Sequence, residues 1–119
     1  MNELPHHHHE NQIADNLGKE LDRIDDFQSV ADIFKLLDDT SRLRIFWLLC
    51  HTEECVINIA AMMDMTTPAV SHHLKLLKSS GLIVNRREGK EVYYKAAQTP
   101  AAQNLHEYIE NIMEIVCPQ

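Results

Sequence analysis

Metal-ligating side chains follow one face of the segment near the C-terminus. His106, Glu110, Met113 and Cys117 recur every three or four residues, the spacing that aligns side chains along a helix. Imidazole, carboxylate and thiolate are ligands that zinc, cadmium and cobalt accept. The pattern predicts a metal site built from His106, Glu110 and Cys117. An ordinary amphipathic flank, with Cys117 as a small apolar residue, fits the same spacing.

Other groups that bind metals lie elsewhere in the chain. The N-terminal segment contains the consecutive residues His6, His7, His8 and His9, and Cys55 lies near the middle of the sequence. Histidine-rich tracts often collect metal ions, so this run and Cys55 are additional candidate ligands; the run also fits a purification-tag remnant. Cys50, in a mostly apolar segment, is expected to have a packing role. A thiol-redox sensor built on Cys50 and Cys55 is the alternative chemistry.

A second set of polar side chains lies on the segment 67–79. Thr66, Thr67 and Pro68 form a helix start signal, and Val70, Leu74 and Leu77 are spaced to face a core. The opposite side carries hydroxyls, an imidazole and lysines but no acid: Ser71, His72, Lys75 and Lys78. Such a helix fits the major groove of DNA, where these groups reach base edges.

Two other interpretations of Ser71, His72 and His73 are ordinary solvated polar residues and a hydrolytic serine–histidine pair. Adjacent residues of a helix point about 100° apart, which separates the serine from the neighbouring imidazole. The sequence also places no carboxylate to orient that imidazole, as a triad requires. The protein is therefore not expected to be an enzyme.

A series of helices must position these groups. Apolar spacing predicts one helix through Ile13, Leu17, Leu21 and Ile24, and a second over 30–37. Asp39-Thr40-Ser41 supplies the N-cap of a third, which is apolar nearly all round and is expected to be the central buried helix. Shorter helical segments are predicted at 56–63 and 67–79, and a last helix runs from Thr99-Pro100 to Cys117.

A basic hairpin is predicted after the fifth helix. The β-rich runs 82–84 and 92–94 flank a glycine-containing turn. Its cations, Arg86, Arg87 and Lys90, suit contacts to DNA phosphates. A short helix, a tight turn, a second helix with a cationic face and a basic hairpin make the fold a winged helix-turn-helix, mainly α with a β-hairpin wing.

Charge is distributed unevenly along the 119 residues, whose formal net charge is −7. Residues 1–40 hold ten acids and three bases, whereas residues 66–95 hold six bases and two acids. A local basic patch of this kind is typical of a face that binds nucleic acid.

The amino-acid composition indicates a globular protein without a membrane span. Hydrophobic residues make up 45% and charged residues 24% of the chain, as in an ordinary globular protein. The sequence has no apolar run long enough for a membrane span and no signal peptide, so no membrane partner is expected. Three cysteines indicate a reducing compartment, and the expected location is the cytoplasm. The expected organisation is a flexible tail at 1–12 and one domain at 13–119.

Several separate motifs together closely resemble the ArsR/SmtB family. They are DTSRLRI at 39–45, AVSHHLKLLK at 69–78, GLI at 81–83 and RREGK at 86–90, followed by Tyr93-Tyr94. The resemblance covers roughly residues 28–117, and the order and spacing of the motifs make it specific.

The resemblance implies a small dimeric bacterial repressor that releases operator DNA when it binds a metal ion or another inducer. It places Thr67, Ser71 and His72 where the family reads bases, and Pro68 where the family often has a hydroxyl residue. The expected dimer forms through the N- and C-terminal helices, because apolar stripes on terminal helices suit a two-fold seam.

The familiar sensor sites of that family are incomplete in this sequence. A Cys-x-Cys box at the start of the fourth helix retains only Cys55, which some relatives complete with ligands from an N-terminal arm. At the last-helix site the chain has Gln98, Pro100, Asn111 and Glu114, so three of four ligands are missing.

The sequence as a whole predicts a homodimeric repressor that binds double-stranded operator DNA and is released by a divalent metal ion, zinc or cadmium. Ligand stripes from the two last helices are expected to meet in the dimer. The alternatives are the same DNA-binding protein sensing thiol oxidation or persulfides, and a His-rich metal-buffering protein without an operator.

Overall fold

The computed structural model describes residues 4–6 and 11–117 of the chain. Its internal contacts divide the chain into two compact units, Met1–Phe34 and Lys35–Gln119. The predicted organisation of a tail at 1–12 and a domain at 13–119 remains a prediction. Among the described helices, none combines the length and apolar character needed to cross a membrane.

Two helices account for most of the described N-terminal segment: α1 (Asn11–Leu21) and α2 (Ile24–Leu37). The prediction that Ile24 continues the first helix is wrong, because the chain turns after Leu21. Arg23 lies in this turn, with its guanidinium 2.6 Å from Glu20 and 2.9 Å from Asp26. Apolar spacing continued across the turn, so the sequence pattern did not reveal the break.

An apolar face runs along these two helices. Its large side chains, each exposed, are Ile13, Leu17, Leu21, Ile24, Phe27, Val30 and Phe34. Large exposed apolar side chains that recur along a helix in this number are typical of a protein–protein interface.

Four further helices belong to the second unit: α3 (Thr40–His51), α4 (Val56–Met63), α5 (Thr67–Ser79) and α6 (Pro100–Val116). Side-chain caps start three of them. Asp39 accepts the backbone N–H of Arg42 at α3, Thr66 caps α5 and Thr99 caps α6. The predictions for α4 and α5 are confirmed residue for residue, and α6 ends one residue before the predicted Cys117.

The predicted hairpin is present and belongs to a three-stranded antiparallel sheet. Strands β1 (Glu54–Cys55), β2 (Ile83–Glu88) and β3 (Glu91–Ala96) lie in the order β1-β3-β2. Gly89 reverses the chain between β2 and β3 with φ 62°, a left-handed conformation that glycine adopts without strain. The two-residue strand β1 was not predicted, because a segment this short has no readable alternation.

The core lies where α3, α4, α5 and the start of β2 meet. Its largest fully buried side chains are Ile45, Phe46, Ile59, Val70, Leu74, Leu77, Leu82 and Ile83. Helix α3 is central, as predicted, but it is not buried all round, since Trp47 is 36% exposed. The helix–turn–helix of α4 and α5, followed by the β2–β3 wing, has the predicted winged architecture.

Truncation of Phe46 should destabilise the second unit more than any surface change. Phe46 is fully buried, so Phe46→Ala is expected to lower the free energy of unfolding by about 3–5 kcal/mol. The milder Ile45→Val, at an equally buried neighbour, should cost about 0.5–1.5 kcal/mol. Urea unfolding followed by circular dichroism measures both changes. A loss below about 1 kcal/mol for Phe46→Ala would contradict this assignment of the core.

Candidate DNA-binding surface and metal-ligand cluster

Helix α5 separates its apolar and polar residues as the sequence predicts. Val70, Leu74 and Leu77 are buried in the core. The opposite residues are exposed: Thr67, Ser71, His72, Lys75 and Lys78. No acid occurs between Thr67 and Ser79, so the exposed face presents only hydroxyl, imidazole and ammonium groups. Such a face complements the negative charge of DNA and offers donors for base edges.

His73 has a different environment from the neighbouring His72. Its ring is largely buried, and its Nδ1 lies 3.3 Å from Arg42 Nη1. Arg42 also donates from Nε to the carbonyl of Leu36, and Asp39 Oδ1 lies 4.0 Å from His73 Nε2. Burial is the main factor that lowers the pKa of His73. His73 therefore joins α5 to the start of α3, whereas His72 faces solvent.

The wing carries the three predicted cations in unequal environments. Arg86 is held by Glu53 at 2.6 Å and by Glu88 at 2.8 Å, and its guanidinium lies over the ring of Tyr93. These carboxylates raise the pKa of Arg86. Its positive charge is therefore largely compensated within the protein.

Arg87 and Lys90 are exposed on the same hairpin. Within the described part of the chain, neither forms an ion pair with a carboxylate. The wing therefore offers two cations that can approach a phosphate without first breaking an internal salt bridge.

Metal-ligating groups converge between α3 and α6. His106 and Glu110, one turn apart on α6, meet His51 at the end of α3. The three pairs of atoms His51 Nε2–His106 Nε2, His51 Nε2–Glu110 Oε1 and His106 Nε2–Glu110 Oε1 are each 3.1 Å apart. Two imidazoles and a carboxylate thus form a nearly equilateral triangle of donor atoms.

Trp47 orients the carboxylate of this cluster. Its indole N–H donates to Glu110 Oε1 over 2.9 Å, and its ring lies 4.4 Å from the His51 ring, centroid to centroid. Hydrogen bonds from His51 and Trp47, with a further contribution from His106, lower the pKa of Glu110. The carboxyl is therefore held in its ionised, metal-binding form.

The structure brings together two of the three ligands predicted on the last helix. His106 and Glu110 belong to the cluster, whereas Cys117 is the exposed C-cap residue of α6. Among the described residues, the cluster contains no cysteine sulfur. Cys117 follows the last helical residue Val116 and is not part of this group in the single chain, so its role as a ligand stays a prediction.

The remaining predicted metal ligands either lie apart from the cluster or are outside the residues that the structure describes. Cys55 is buried at the junction of β1 and α4, where it pairs in register with Tyr93. His6 is described but does not belong to the cluster, while His7, His8 and His9 lie outside the described residues.

His51 is the candidate ligand that sequence reasoning missed. It is the last residue of α3, four positions after Trp47, so both side chains project from one side of that helix. The sequence contains this spacing, but it does not reveal that α3 contacts α6. Only that long-range contact brings His51 to His106.

The donor set fits a divalent metal of borderline softness. Zinc bonds of about 2.0–2.1 Å to nitrogen and oxygen place tetrahedral ligands roughly 3.3–3.4 Å apart. The observed 3.1 Å separations require only a slight opening of the triangle. His51 and Glu110 have side chains 44% and 43% exposed, so solvent reaches the cluster.

The three thiols do not resemble a reactive redox pair. Cys50, Cys55 and Cys117 are unpaired, and they are respectively half-buried, buried and exposed. Burial and, to a smaller extent, Glu110 raise the pKa of Cys50 to about 11. A thiol of this kind holds little thiolate at neutral pH, which disfavours rapid oxidation.

Comparisons with known proteins give consistent matches. The family described as "Bacterial regulatory protein, arsR family" matches residues 39–84. A transcriptional repressor SmtB homolog of Synechocystis is 37% identical over 91 residues, covering 76% of this chain and 69% of that protein. The cadmium resistance transcriptional regulatory protein CadC of Listeria innocua is 43% identical over 70 residues, 58% of this chain and 59% of its own length.

A solved structure shows the same architecture. The homodimeric winged helix-turn-helix DNA-binding domain of a possible ArsR-family regulator from Mycobacterium bovis superposes with a TM-score of 0.66 and 33% identity. The match covers 74% of this chain and 81% of that one. The winged helix-turn-helix prediction is confirmed.

Replacement of a wing cation should change the salt dependence of DNA binding. If Arg87 contacts a phosphate, Arg87→Ala is expected to reduce the slope of log affinity against log salt by about one unit. Arg23→Ala removes the same charge from the turn between α1 and α2, and it should leave the slope unchanged. Fluorescence anisotropy with a labelled duplex, repeated across salt concentrations, gives the slopes. Equal slopes for Arg87→Ala and the unaltered chain would refute the contact.

Replacement of His72 should weaken discrimination between sequences rather than general affinity. His72 faces solvent on α5, where an imidazole can contact a base edge. His72→Ala is expected to narrow the gap between specific and random-sequence binding by about 1–3 kcal/mol. Lys75→Ala serves as the comparison, because loss of a phosphate contact lowers both affinities alike. A duplex selected by the protein from a random pool supplies the specific site. If His72→Ala leaves the difference in binding free energy between this duplex and a random one unchanged, His72 does not read a base.

Proposed function

The chain belongs to the ArsR family of bacterial regulatory proteins, and we propose that it is a dimeric transcriptional repressor whose affinity for operator DNA falls when it binds a divalent metal ion. Zinc and cadmium are the proposed inducers. The expected location is the cytoplasm, where the operator lies. The family consists of regulatory proteins, in agreement with the prediction that this chain is not an enzyme.

The observation that carries the proposal is the acid-free exposed face of α5 beside a cationic wing. The core residues Val70, Leu74 and Leu77 fix which side of α5 faces outward. The proposed base-reading residues are Thr67, Ser71 and His72, and the proposed phosphate contacts are Lys75, Lys78, Arg87 and Lys90. Arg86 remains a proposed contact, although reaching a phosphate requires it to leave Glu53 or Glu88.

Dimer formation is supported by the exposed apolar surface of the last helix. Tyr108, Ile112, Ile115 and Val116 are exposed large side chains on α6. The exposed apolar face of α1 and α2 has the same character. Surfaces of this kind are typical of interfaces between subunits. The homodimeric relative from Mycobacterium bovis supports a second copy of the chain as the partner.

Metal control is supported by the cluster at α3 and α6 and by the relatives. CadC of Listeria innocua is a cadmium resistance regulator, and its similarity to this chain favours a metal ion as the inducer. His106 and Glu110 are proposed ligands, with His51 as a third. His51 of α3 and Glu110 and His106 of α6 would hold the metal, whose divalent charge would tie the end of α3 to α6.

Metal titration should lower DNA affinity in a way that depends on the cluster. Zinc or cadmium is expected to weaken binding to the selected duplex about 5- to 150-fold at fixed salt, the usual range of allosteric coupling. His106→Ala should keep its metal-free DNA affinity and lose this response, since His106 is partly buried beside α3 rather than on α5. Anisotropy with reduced protein measures both. An unchanged affinity in saturating metal would refute metal control.

A further inference from the structure

We infer that His51, His106 and Glu110 hold one divalent cation of the borderline class, such as zinc, cobalt or nickel, within a single subunit. The inference rests on the proposed function, because it names the site and the class of inducer for the same repressor. It replaces the expectation of a site formed between the last helices of two subunits, and it replaces a cysteine ligand by His51.

The two helices contribute matched pairs of side chains. Helix α3 presents Trp47 and His51, and α6 presents His106 and Glu110, each pair four residues apart. Residues at this spacing lie one above the other on a helix face. The paired faces of α3 and α6 therefore bring the three donor atoms together without any residue from a second chain.

The lone pairs of the cluster favour a cation. The same Glu110 Oε1 lies 3.1 Å from both imidazole nitrogens, and these nitrogens lie 3.1 Å from each other. A proton on one imidazole nitrogen forms a hydrogen bond with only one of the other two atoms. A metal cation between the helices would contact all three ligand atoms at once.

The identity of the donors selects the class of metal. Two imidazoles and a carboxylate suit zinc, cobalt and nickel, whereas thiolates favour softer ions. Among the described residues no cysteine sulfur belongs to the group, and Cys55 and Cys117 are not part of it. Zinc is therefore the better supported of the two inducers predicted from the sequence.

Trp47 acts as a positioning residue. Its indole N–H shares Glu110 Oε1 with the two imidazoles and limits rotation of the carboxylate. Partners of this kind around a metal site typically contribute about 10- to 100-fold in affinity. Trp47→Phe keeps an aromatic ring on α3 and removes the indole N–H that donates to Glu110, so it tests this contribution.

Cobalt titration of the reduced full chain tests the inference without DNA. The starting protein carries serine in place of His6, His7, His8 and His9, so that the histidine run does not contribute. We expect one cobalt per chain, visible d–d absorption bands and no thiolate-to-cobalt charge-transfer band. Zinc should displace the cobalt and abolish the bands.

Variants connect the spectrum to named residues. His51→Ala and Glu110→Gln should each weaken cobalt binding by about 100-fold or more, beyond the loss expected for Trp47→Phe. The matched control is Glu107→Gln on α6, an exposed carboxylate three residues from Glu110, and it should bind cobalt as the starting protein does. Cys55→Ser and Cys117→Ser should also have no effect. Far-ultraviolet circular dichroism verifies that each variant is folded.

Two results would overturn the inference. One is a thiolate charge-transfer band that disappears in Cys55→Ser or Cys117→Ser, and the other is unaltered cobalt affinity in folded His51→Ala. These outcomes are separate from failure of the proposed function. If cobalt binding requires His51 but DNA affinity ignores metal, the site stands and the proposed regulation falls. If metal lowers DNA affinity but His51→Ala responds normally, the regulation stands and this site falls.

Discussion

The burial of α3 is the constraint on which both functional surfaces depend. Ile45 and Phe46 are completely buried, and α3 contacts α4, α5, α6 and β3. Val70 and Leu74 of α5 are buried in the same core. The opposite, cationic side of α5 is therefore exposed. The packing of α3 also sets its end against α6, where His51 meets Glu110.

One helix therefore connects the two surfaces. Near its start, Asp39 and Arg42 approach His73 of α5, and at its end His51 joins the candidate metal-ligand cluster. Helix α3 thus has a contact with each candidate surface, one near its start and one at its end. Because α3 is packed on several sides, a ligand that fixes His51 against α6 constrains the helix that supports α5. This arrangement gives the proposed regulation a structural basis.

The sequence predicted the features that depend on neighbouring residues. The caps at Asp39 and Thr66, and the two-sided pattern of α5, follow from local hydrogen bonding and helical spacing. Features that depend on distant contacts were missed. His51 joins the candidate metal-ligand cluster only through packing of α3 on α6, and Arg86 is compensated by Glu53, 33 residues away. Spacing within one helix also favoured Cys117, although the helix ends before it.

The zinc response of His51→Ala tests the central claim most directly, because His51 links the metal cluster to the central helix. Affinity for the selected duplex would be measured with and without zinc, for this variant and for the unaltered chain, at one salt concentration. The account predicts equal affinities in the absence of zinc and a zinc-induced loss only in the unaltered chain. An equal loss in both proteins would contradict it.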